Sequence, residues 1–529
     1  MAANLTKSFF LRALVAAGPL LGCSSRTPPA AQTTIVEQQA STKSRPNRTP
    51  AITAWPEPPP AFAELTERVH NAERDTLLPG RAQLPDMLLG LNNEAIRQIQ
   101  FRPERALWHG ESGHFEVQGL HPGGSYLDLV ELSVLPGTAH PFPFSPQLFN
   151  YGSIERPDTG AGLGFAGFRV HAPLNQPDHH DEFLVFHGAS YFRSLARGQA
   201  YGLSARGLAV DMGQDTPEEF PVFSQFYLVE PAPEDEALWL LATLVSGRTR
   251  GAYAFHVTPG ASTTVHVFAR IWVDGPVKSL GLAPLSSMFL FGEESPAAFG
   301  DYRPEVHDSD SMVFVSHSGE RLVRPLRNPP RTTRSEFRLD SPAGFGLLQR
   351  DRNFDHYQDL ALHYQDRPSV WIEPRGDWGP GALHLLEITT LLESDDNVAL
   401  AWVPDQVPDE GLDLQYKITF GEQLPRAAPG AQVSATRMER IDDGTRFIVD
   451  FHGPELQTQN TNPPTAQVDA THGTLVGEPT LHPLPDGGVR LVFDVTPASM
   501  SDDVELRAYL YDDQDTLSET WSYRWRPGP

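Results

Sequence analysis

The 529-residue chain has little cysteine, a deficit of positive charge and no hydrophobic run long enough to cross a membrane comfortably. Its single cysteine, Cys23, excludes an intrachain disulfide. Lysine and arginine number 41 against 67 aspartate and glutamate residues, which leaves a formal net charge of −26. Because so acidic a surface repels phosphate backbones, we predict no nucleic-acid partner.

The N-terminus has the pattern of an export signal. Lys7 and Arg12 supply positive charge, and the apolar run over residues 9–21 is shorter than the about 20 residues of a membrane span. It ends in Leu-Leu-Gly-Cys at residues 20–23, which resembles a bacterial lipobox, so we predict a signal over 1–23 and lipidation of Cys23. The alternative is an ordinary signal peptide with a fortuitous cysteine. No aspartate follows Cys23, which favours an outer-membrane anchor facing the periplasm over an inner-membrane one.

Composition divides the remainder of the chain. Residues 24–60 are rich in Ser, Thr, Pro, Ala and Gln, and they cannot bury enough area to offset ordering entropy, so they are predicted to be a disordered tether. A large domain follows over 61–420 and opens with a helix over 61–78. A Pro-, Ala- and Gly-rich linker at 421–431 precedes a last domain at 432–529.

The large domain is predicted to be all-β. The 49 prolines and 43 glycines of the whole chain suit many strands joined by tight turns. Strand-like runs occur without any long amphipathic helix between them, which favours antiparallel sheets. They are 183–186, 227–229, 238–244, 252–257 and 263–273. The last domain has short alternating runs whose length and spacing suit a seven-stranded immunoglobulin-like β-sandwich.

Two motifs do not predict the sites that they superficially resemble. Residues 162–167 match G-x-G-x-x-G, but a strand rather than a helix follows, so no dinucleotide site is predicted. His179, His180 and Asp181 are potential metal ligands, yet an exposed polar loop leaves such side chains solvated. We predict neither a metal nor a cofactor, and no G-x-S-x-G nucleophile motif is present.

Acidic and aromatic residues are interleaved in two segments, 302–310 and 350–359, and further such residues follow at 364–397. Aromatic rings stack on apolar sugar faces while Asp, Arg and His bind hydroxyl groups, so the pattern is typical of a carbohydrate site. Taken singly, each aspartate fits a turn or salt bridge better. The predicted substrate-binding residues are His307, Arg350, Tyr357, Tyr364, Trp371 and Trp378.

At these segments the sequence resembles the periplasmic glucan biosynthesis family, the G and D proteins of osmoregulated periplasmic glucans. The matching stretches run in order from about residue 61 to the end of the chain. They are 164–169 (GFAGFR), 188–193 (GASYFR), 201–209 (YGLSARGLA), 283–289 (APLSSMF), 305–310 (EVHDSD), 344–350 (GFGLLQR) and 517–521 (LSETW).

The resemblance implies a large mutarotase-like β-supersandwich followed by an immunoglobulin-like sandwich. It also implies cleavage or trimming of β-1,2-glucan by an inverting hydrolase. On the matching motifs, Asp308 is the general base, Asp396 is the general acid, and Tyr364 lies in a loop that closes over the substrate. Asp396 must then be protonated, which burial beside apolar groups would favour. An inverting pair is usually about 6.5–9.5 Å apart, but a longer proton relay is implied in this family.

Three functions are compatible with these residues. The first is a hydrolase or transglycosylase acting on β-1,2-glucan. The second is a non-catalytic glucan-binding or assembly factor, which the last domain and the anchor also suit. The third is an epimerase or lyase, which rests on fold analogy alone. A β-glucan polysaccharide and a membrane are the predicted partners, and a homodimer is left open.

Overall fold

The computed structural model describes residues 32–36 and 55–527, except for 112, 125, 136–138, 159–161, 294, 296–299, 423–429, 457–462 and 514. The predicted export signal, including Cys23, and most of the predicted linker lie outside the described residues. Lipidation of Cys23 therefore stays a prediction. Within the described part, none of the helices has both the length and the apolar character needed to cross a bilayer.

The regular secondary structure of the described chain is mostly strand, 49% against 8% helix, which confirms the all-β prediction. In chain order, the first strands are β1 Gln32–Val36, β2 Gln100–Phe101, β3 Glu116–Leu120, β4 Glu131–Leu135, β5 His140–Pro141, β6 Phe149–Asn150, β7 Gly167–Ala172, β8 Asp181–His187, β9 Tyr191–Ser194, β10 Ser204–Arg206, β11 Leu208–Val210, β12 Val222–Val229, β13 Leu238–Val245, β14 Thr249–Thr258, β15 Thr263–Val273, β16 Leu280–Ser287 and β17 Phe289–Phe291. The remaining strands are β18 Val306–His307, β19 Ser311–Ser316, β20 Arg321–Pro325, β21 Thr333–Leu339, β22 Pro342–Leu348, β23 Ser369–Pro374, β24 Gly381–Glu387, β25 Val398–Pro404, β26 Leu412–Gly421, β27 Gln432–Ile441, β28 Gly444–His452, β29 Thr465–Thr471, β30 Gly473–Pro483, β31 Val489–Pro497, β32 Val504–Tyr511 and β33 Thr520–Trp525.

Helices are short and few among the described residues. The α-helices are α1 Pro60–Asn71, α2 Asp86–Leu89, α3 Asn93–Ile96 and α4 Phe354–Tyr357. The 3₁₀ turns are Arg74–Leu77, Pro103–Arg105, Pro146–Leu148, Tyr364–Asp366 and Pro454–Leu456.

Two large sheets stack face to face. The first has the strand order β1-β21-β24-β25-β16-β10-β9-β8-β7-β3, with β11 also paired to β16. The second has the order β29-β32-β33-β20-β19-β22-β23-β26-β15-β14-β13-β12-β4-β5. Two small pairs, β17-β18 and β2-β6, stand apart from them.

Aromatic residues on the inner faces hold the two sheets together. Phe168 of the first sheet meets Phe226 of the second with ring centroids 4.8 Å apart, and Phe186 meets Phe255 at 5.4 Å. All four rings are nearly inaccessible to solvent. Apolar burial at roughly 25 cal/mol per Å² is the main stabilising contribution to such a core.

The last seven strands form a smaller sandwich, the strand number predicted for an immunoglobulin-like unit. Its sheet β27-β28-β31-β30 packs on β29, β32 and β33 around Phe447, Phe493 and Trp521. The second layer is not separate, because β33 pairs in parallel with β20 of the second large sheet. The two sandwiches therefore share one continuous sheet.

Two described pieces of the predicted tether, β1 and Trp55, contact the rest of the protein. Residues 24–60 are expected to form a disordered tether, but β1 pairs in parallel with β21, as its β-branched residues favour. Trp55 packs edge-on against His266 at 4.8 Å, and the Arg375 guanidinium lies 4.9 Å from its ring centroid. The average composition of residues 24–60 does not reveal the pairing of β1 or the packing of Trp55.

The first helix is shorter than the predicted 61–78. α1 ends at Asn71, because Ala72 takes up extended backbone with φ −71° and ψ 146°. Its Leu65 and Val69, four residues apart, pack against Leu241 and Ala254 on the outer face of the second sheet.

Candidate functional site

Asp308 lies directly after β18, at the small β17-β18 hairpin. Its backbone N–H donates to the Met288 carbonyl at 2.8 Å, which fixes it beside β17. The residue is 2% exposed, and its carboxylate pairs with the guanidinium of Arg367. Asp308 is therefore buried and charge-compensated rather than open to solvent.

Asp396 lies in the loop before β25, and this loop is attached to the same hairpin. The next residue, Asn397, accepts a hydrogen bond from the Phe289 N–H at 2.8 Å and donates to the Phe289 carbonyl at 2.9 Å. Because Met288 and Phe289 are consecutive, the segments that carry Asp308 and Asp396 attach to adjacent backbone positions. The structure thus brings the segments that carry the two predicted catalytic residues together at one hairpin.

The surroundings of Asp396 differ from those predicted for a buried acid. Its side chain is 23% exposed, and Oδ2 lies 3.3 Å from an Nη of Arg193. The Nε of Arg193 donates to Ser204 Oγ at 2.6 Å, so β10 fixes this guanidinium. Asp396 faces an arginine and solvent as well as protein.

Arg367 contacts Asp308 directly and interacts with Asp396 through its charge. Burial, followed by the charge of Arg193, lowers the pKa of Arg367 to about 9, while Glu393 and Asp396 oppose that shift. Arg367 stays protonated at neutral pH, and one cation therefore acts on both carboxylates.

Arg367 contacts Asp308, and Tyr364 packs on Arg367; we call this pair of side chains the Tyr364–Arg367 cover. The guanidinium carbon of Arg367 lies 3.9 Å from the centroid of the Tyr364 ring, within the range of a cation–π contact. Gln349 anchors this cover, since its Nε2 donates to the carbonyls of both His307 and Tyr364 at 3.0 Å. Gln349 therefore ties the cover to β18, the strand that precedes Asp308.

His307 is a buried residue that packs against the β17-β18 hairpin next to Asp308. The residue is fully buried, its ring stacks on Phe289 at 5.3 Å, and Nε2 lies 2.8 Å from Glu305 Oε2. Burial lowers the pKa of His307, but the hydrogen bond and charge of Glu305 outweigh it, so the net shift is upward. His307 supports the site from behind and has no solvent-exposed surface to offer a ligand.

The two predicted binding tyrosines are also buried. Tyr357 and Tyr364 stack with centroids 5.9 Å apart, and burial is the largest factor that raises the pKa of each hydroxyl. Tyr357 donates to the Asp351 carbonyl at 3.1 Å, and Tyr364 donates to the Glu393 carboxylate. Both hydroxyls thus act as hydrogen-bond donors within the site.

Arg303 joins three chain segments next to this cover. Its guanidinium donates to Asp301 at 2.8 Å, to Asp359 at 2.9 Å and to Glu393 at 2.8 and 3.1 Å. We call Arg303, Asp301, Asp359 and Glu393 the Arg303 clasp. It ties the approach to β18 to the Tyr364 segment and to the loop that carries Asp396.

The clasp carboxylates are held ionised. Burial raises the pKa of Glu393 and of Asp359, but hydrogen bonds outweigh it in both, so both values are lowered. For Glu393 the donors are Arg303 and Tyr364, and for Asp359 they include two backbone N–H groups. The hydrogen bond from Arg303 lowers the pKa of Asp301 directly.

Three predicted binding residues lie elsewhere. Arg350 is buried at the junction of the two sandwiches, where it donates to Glu519 at 2.6 and 2.8 Å. Trp371 is 4% exposed and packs in the core of the smaller sandwich. Trp378 packs edge-on against Tyr416, with centroids 5.8 Å apart. Packing and ion pairing use the same residue types as sugar binding, so composition alone cannot distinguish these roles for Arg350, Trp371 and Trp378.

One group of side chains in the described part of the chain has the composition of a metal site. Potential ligand atoms of Glu305, Asp351 and His356 lie within 4.8 Å of one another. These side chains already have partners, because Glu305 bonds His307 and His356 contacts Asp351. Elsewhere, His179 is 70% exposed, as predicted for a solvated loop, and β7 rather than a helix follows the glycines at 162–167.

Four arginine and glutamate residues of the site were not singled out from the sequence. They are Arg193, Arg303, Arg367 and Glu393. Arg193 ends one of the stretches that carry the family resemblance, and Arg303 and Glu393 lie in or next to acid-rich segments. Their pairing depends on tertiary contacts between segments far apart in the chain, which no local pattern reveals.

Fold and site together define a class: a two-sandwich β-protein in which two aspartates, each paired with its own arginine, lie on segments joined at a small hairpin. Comparison with known families gives the particular one. Residues 61–525 match the family described as "Periplasmic glucan biosynthesis protein, MdoG". The chain belongs to this family.

Curated relatives are similar over most of their length. A "Glucans biosynthesis protein G" of Rhodopseudomonas palustris strain BisA53 is 40% identical over 487 residues, covering 91% of this chain and 96% of the relative. One from Ralstonia nicotianae is 39% identical over 485 residues, covering 88% and 94%. Family membership gives the chain a role in periplasmic glucan biosynthesis and a periplasmic location.

Proposed function

We propose that the protein is an inverting endo-β-1,2-glucanase that cleaves or trims the glucan backbone during periplasmic glucan biosynthesis. The observation that carries this proposal is that the segments of Asp308 and Asp396 attach to adjacent positions of one hairpin, and that each carboxylate pairs with an arginine. Glycoside hydrolysis requires two such carboxyl groups in different environments. Here one is buried and covered, and the other is partly exposed.

The difference in exposure supports Asp396 as the acid and Asp308 as the base. Asp396 reaches solvent, so a glycosidic oxygen can approach it, and in its protonated form it gives that oxygen a proton as the bond from the anomeric carbon breaks. A water molecule attacks the anomeric carbon from the opposite face and passes its proton toward Asp308. Because Asp308 is buried and paired with Arg367, this transfer runs through a relay or follows a movement of the Tyr364–Arg367 cover. Asp308 then releases its proton to solvent and Asp396 takes one up, which restores both groups for the next cycle.

The test is incubation of the purified protein with linear β-1,2-glucan, followed by product sizing and anomer analysis. We expect shorter chains with inverted reducing ends. Asp308→Asn and Asp396→Asn should each lower kcat by about 10²–10⁴-fold, the usual contribution of a general acid or base. The matched control is Asp405→Asn, since Asp405 is a half-exposed partner of Arg338 on the large sandwich. Wild-type cleavage rates in Asp396→Asn would refute the acid assignment.

The second candidate is a non-catalytic glucan-binding or assembly factor. The burial of Asp308 in an ion pair favours it, because such a pair also occurs as a purely structural element. This alternative predicts saturable glucan binding with unchanged chain length after prolonged incubation. Product sizing therefore distinguishes the two candidates.

A further inference from the structure

Residues 358–363, the segment that leads into Tyr364 and Arg367, contain two strained backbone positions. Gln358 and His363, which flank residues 359–362, have φ of 55° and 49°, in the left-handed region that side chains other than glycine adopt rarely. Leu360, between them, is 78% exposed and adds little apolar anchoring. Strain of this kind persists only where surrounding contacts impose it.

Polar contacts supply that constraint. Asp359 accepts the backbone N–H groups of Ala361 and Leu362, each at 2.9 Å, which shapes the turn from within. The other oxygen of the Asp359 carboxylate accepts from Arg303 at 2.9 Å. The turn is therefore attached to its surroundings through a charged hydrogen bond to Arg303.

The Arg303 clasp also depends on charge balance. One guanidinium, 11% exposed, faces the carboxylates of Asp301, Asp359 and Glu393. Without this cation, the three carboxylates would repel one another at short range in a partly buried environment. Repulsion would push the Asp359 turn away from the Glu393 loop, and Tyr364, which donates to Glu393, would lose its fixed partner.

We propose that Arg303 is a positioning residue that fixes the Tyr364–Arg367 cover over Asp308 and, through Glu393, the loop that presents Asp396. Asp396 follows Glu393 by three residues, so a shift of one moves the other. This inference rests on the proposed hydrolysis, and it adds that one arginine, touching neither catalytic carboxylate, sets the geometry of both. Arg303 touches the site through its partners and is not itself a catalytic residue.

Three variants test the proposal. Arg303→Gln removes the cation, Arg303→Lys keeps the charge without the bidentate fork, and Arg338→Gln is the matched control, because Arg338 forms a single exposed pair with Asp405. On linear β-1,2-glucan we expect Arg303→Gln to lower kcat by about 10- to 100-fold, the cost of misplacing catalytic groups by around 1 Å. KM should change by less than about threefold, since the variant displaces reacting groups more than it removes sugar contacts. Arg303→Lys should lie between Arg303→Gln and wild type, and Arg338→Gln should equal wild type.

Amide hydrogen exchange gives a readout that does not depend on cleavage. In Arg303→Gln, peptides covering 359–367 and 391–397 should exchange at least about tenfold faster, as expected for a cooperative unit whose local opening is eased. Peptides of the smaller sandwich should be unchanged. If the exchange of 359–367 and 391–397 stays at the wild-type rate, or if kcat is unaffected, the positioning role is refuted.

The two levels of the proposal fail separately. If wild-type protein leaves β-1,2-glucan intact, the proposed hydrolysis fails, whereas faster exchange in Arg303→Gln would still support the clasp. If wild-type protein cleaves and Arg303→Gln only lowers the melting temperature at unchanged kcat, the clasp proposal fails and the hydrolase stands.

Discussion

Two buried ion-pair networks in this molecule are built from the same residue types and differ in how completely they are closed. At the junction of the sandwiches, Glu519 is 2% exposed and lies between Arg350 and Arg321, with the Val433 N–H as a further donor at 2.7 Å. The second network is the candidate site, where the Arg303 clasp holds the loop of Asp396. Asp396 itself is 23% exposed and has one guanidinium 3.3 Å away.

The surfaces around the two networks differ as well. Next to the clasp, Tyr302, Leu391 and Leu392 are 76%, 73% and 59% exposed. Around Glu519 the flanking chain is buried on both sides, from Leu517 to Trp525. A closed network stabilises a junction, whereas a network that opens onto solvent beside exposed apolar side chains can receive a ligand.

Breaking the junction should give the largest change in stability. Glu519→Gln leaves Arg350 and Arg321 buried with less negative charge, and we expect a loss of about 3–5 kcal/mol in the free energy of unfolding. Chemical denaturation of variant and wild type measures this loss. Activity per folded molecule should be unchanged, and a marked drop in kcat would contradict a purely structural junction.

Mild acid should lower the free energy of unfolding through a buried histidine that lies outside both networks. His121, after β3, is buried between Pro122 and Tyr151, and burial lowers its pKa to about 4 against about 6.5 in an unfolded chain. Below pH 6.5 the unfolded chain therefore binds a proton that the folded protein does not bind until about pH 4. This histidine should cost about 3 kcal/mol of stability across that window, at 1.36 kcal/mol per pH unit.

The two networks respond at lower pH. Hydrogen bonds and cations lower the pKa of Glu519 and of Glu393 despite the opposing effect of burial, so their contributions are lost only below the usual glutamate range. Denaturation at pH 7 and pH 4.5 should show a smaller difference in His121→Gln than in wild type. An identical difference in both proteins would show that His121 is not an acid-sensitive group.

The smallest change in stability should come from Asp396→Asn, although we expect this variant to lose most of its activity. Asp396→Asn removes one charge from a partly exposed pair, and we expect it to cost about 1 kcal/mol or less. Thermal unfolding alongside the glucan assay tests this separation of stability from activity. A loss as large as that of Glu519→Gln would make Asp396 a structural residue and remove the contrast between the networks.

Much of the fold could be predicted from local pattern. The runs at 238–244, 252–257 and 263–273 fall inside β13, β14 and β15, because their apolar residues line the core between the sheets or the contact with α1. The pairing of β1 could not be predicted, since it requires an unfilled sheet edge that only the folded protein creates. The same holds for Trp55, whose partners come from β15 and the end of β23.

The site was predictable only in part, and for a physical reason. Asp308 and Asp396 were identified by resemblance, and the structure brings their segments together. Arg350 and Trp371 lie in equally aromatic and acidic surroundings, but they pack at the junction. Arg303 and Arg367 acquire their importance from carboxylates that are remote in sequence, and a linear pattern carries no information about such meetings.

The parallel pairing of β33 with β20 has a mechanical consequence. A C-terminal sandwich on a short linker would ordinarily move as a separate module. Here β33, which follows the linker by about ninety residues, pairs with a strand of the second large sheet. Cutting the backbone within 423–429 would leave the two halves hydrogen-bonded to each other. The smaller sandwich is thus held to the second large sheet by strand pairing, and we do not expect the two to move as independent modules.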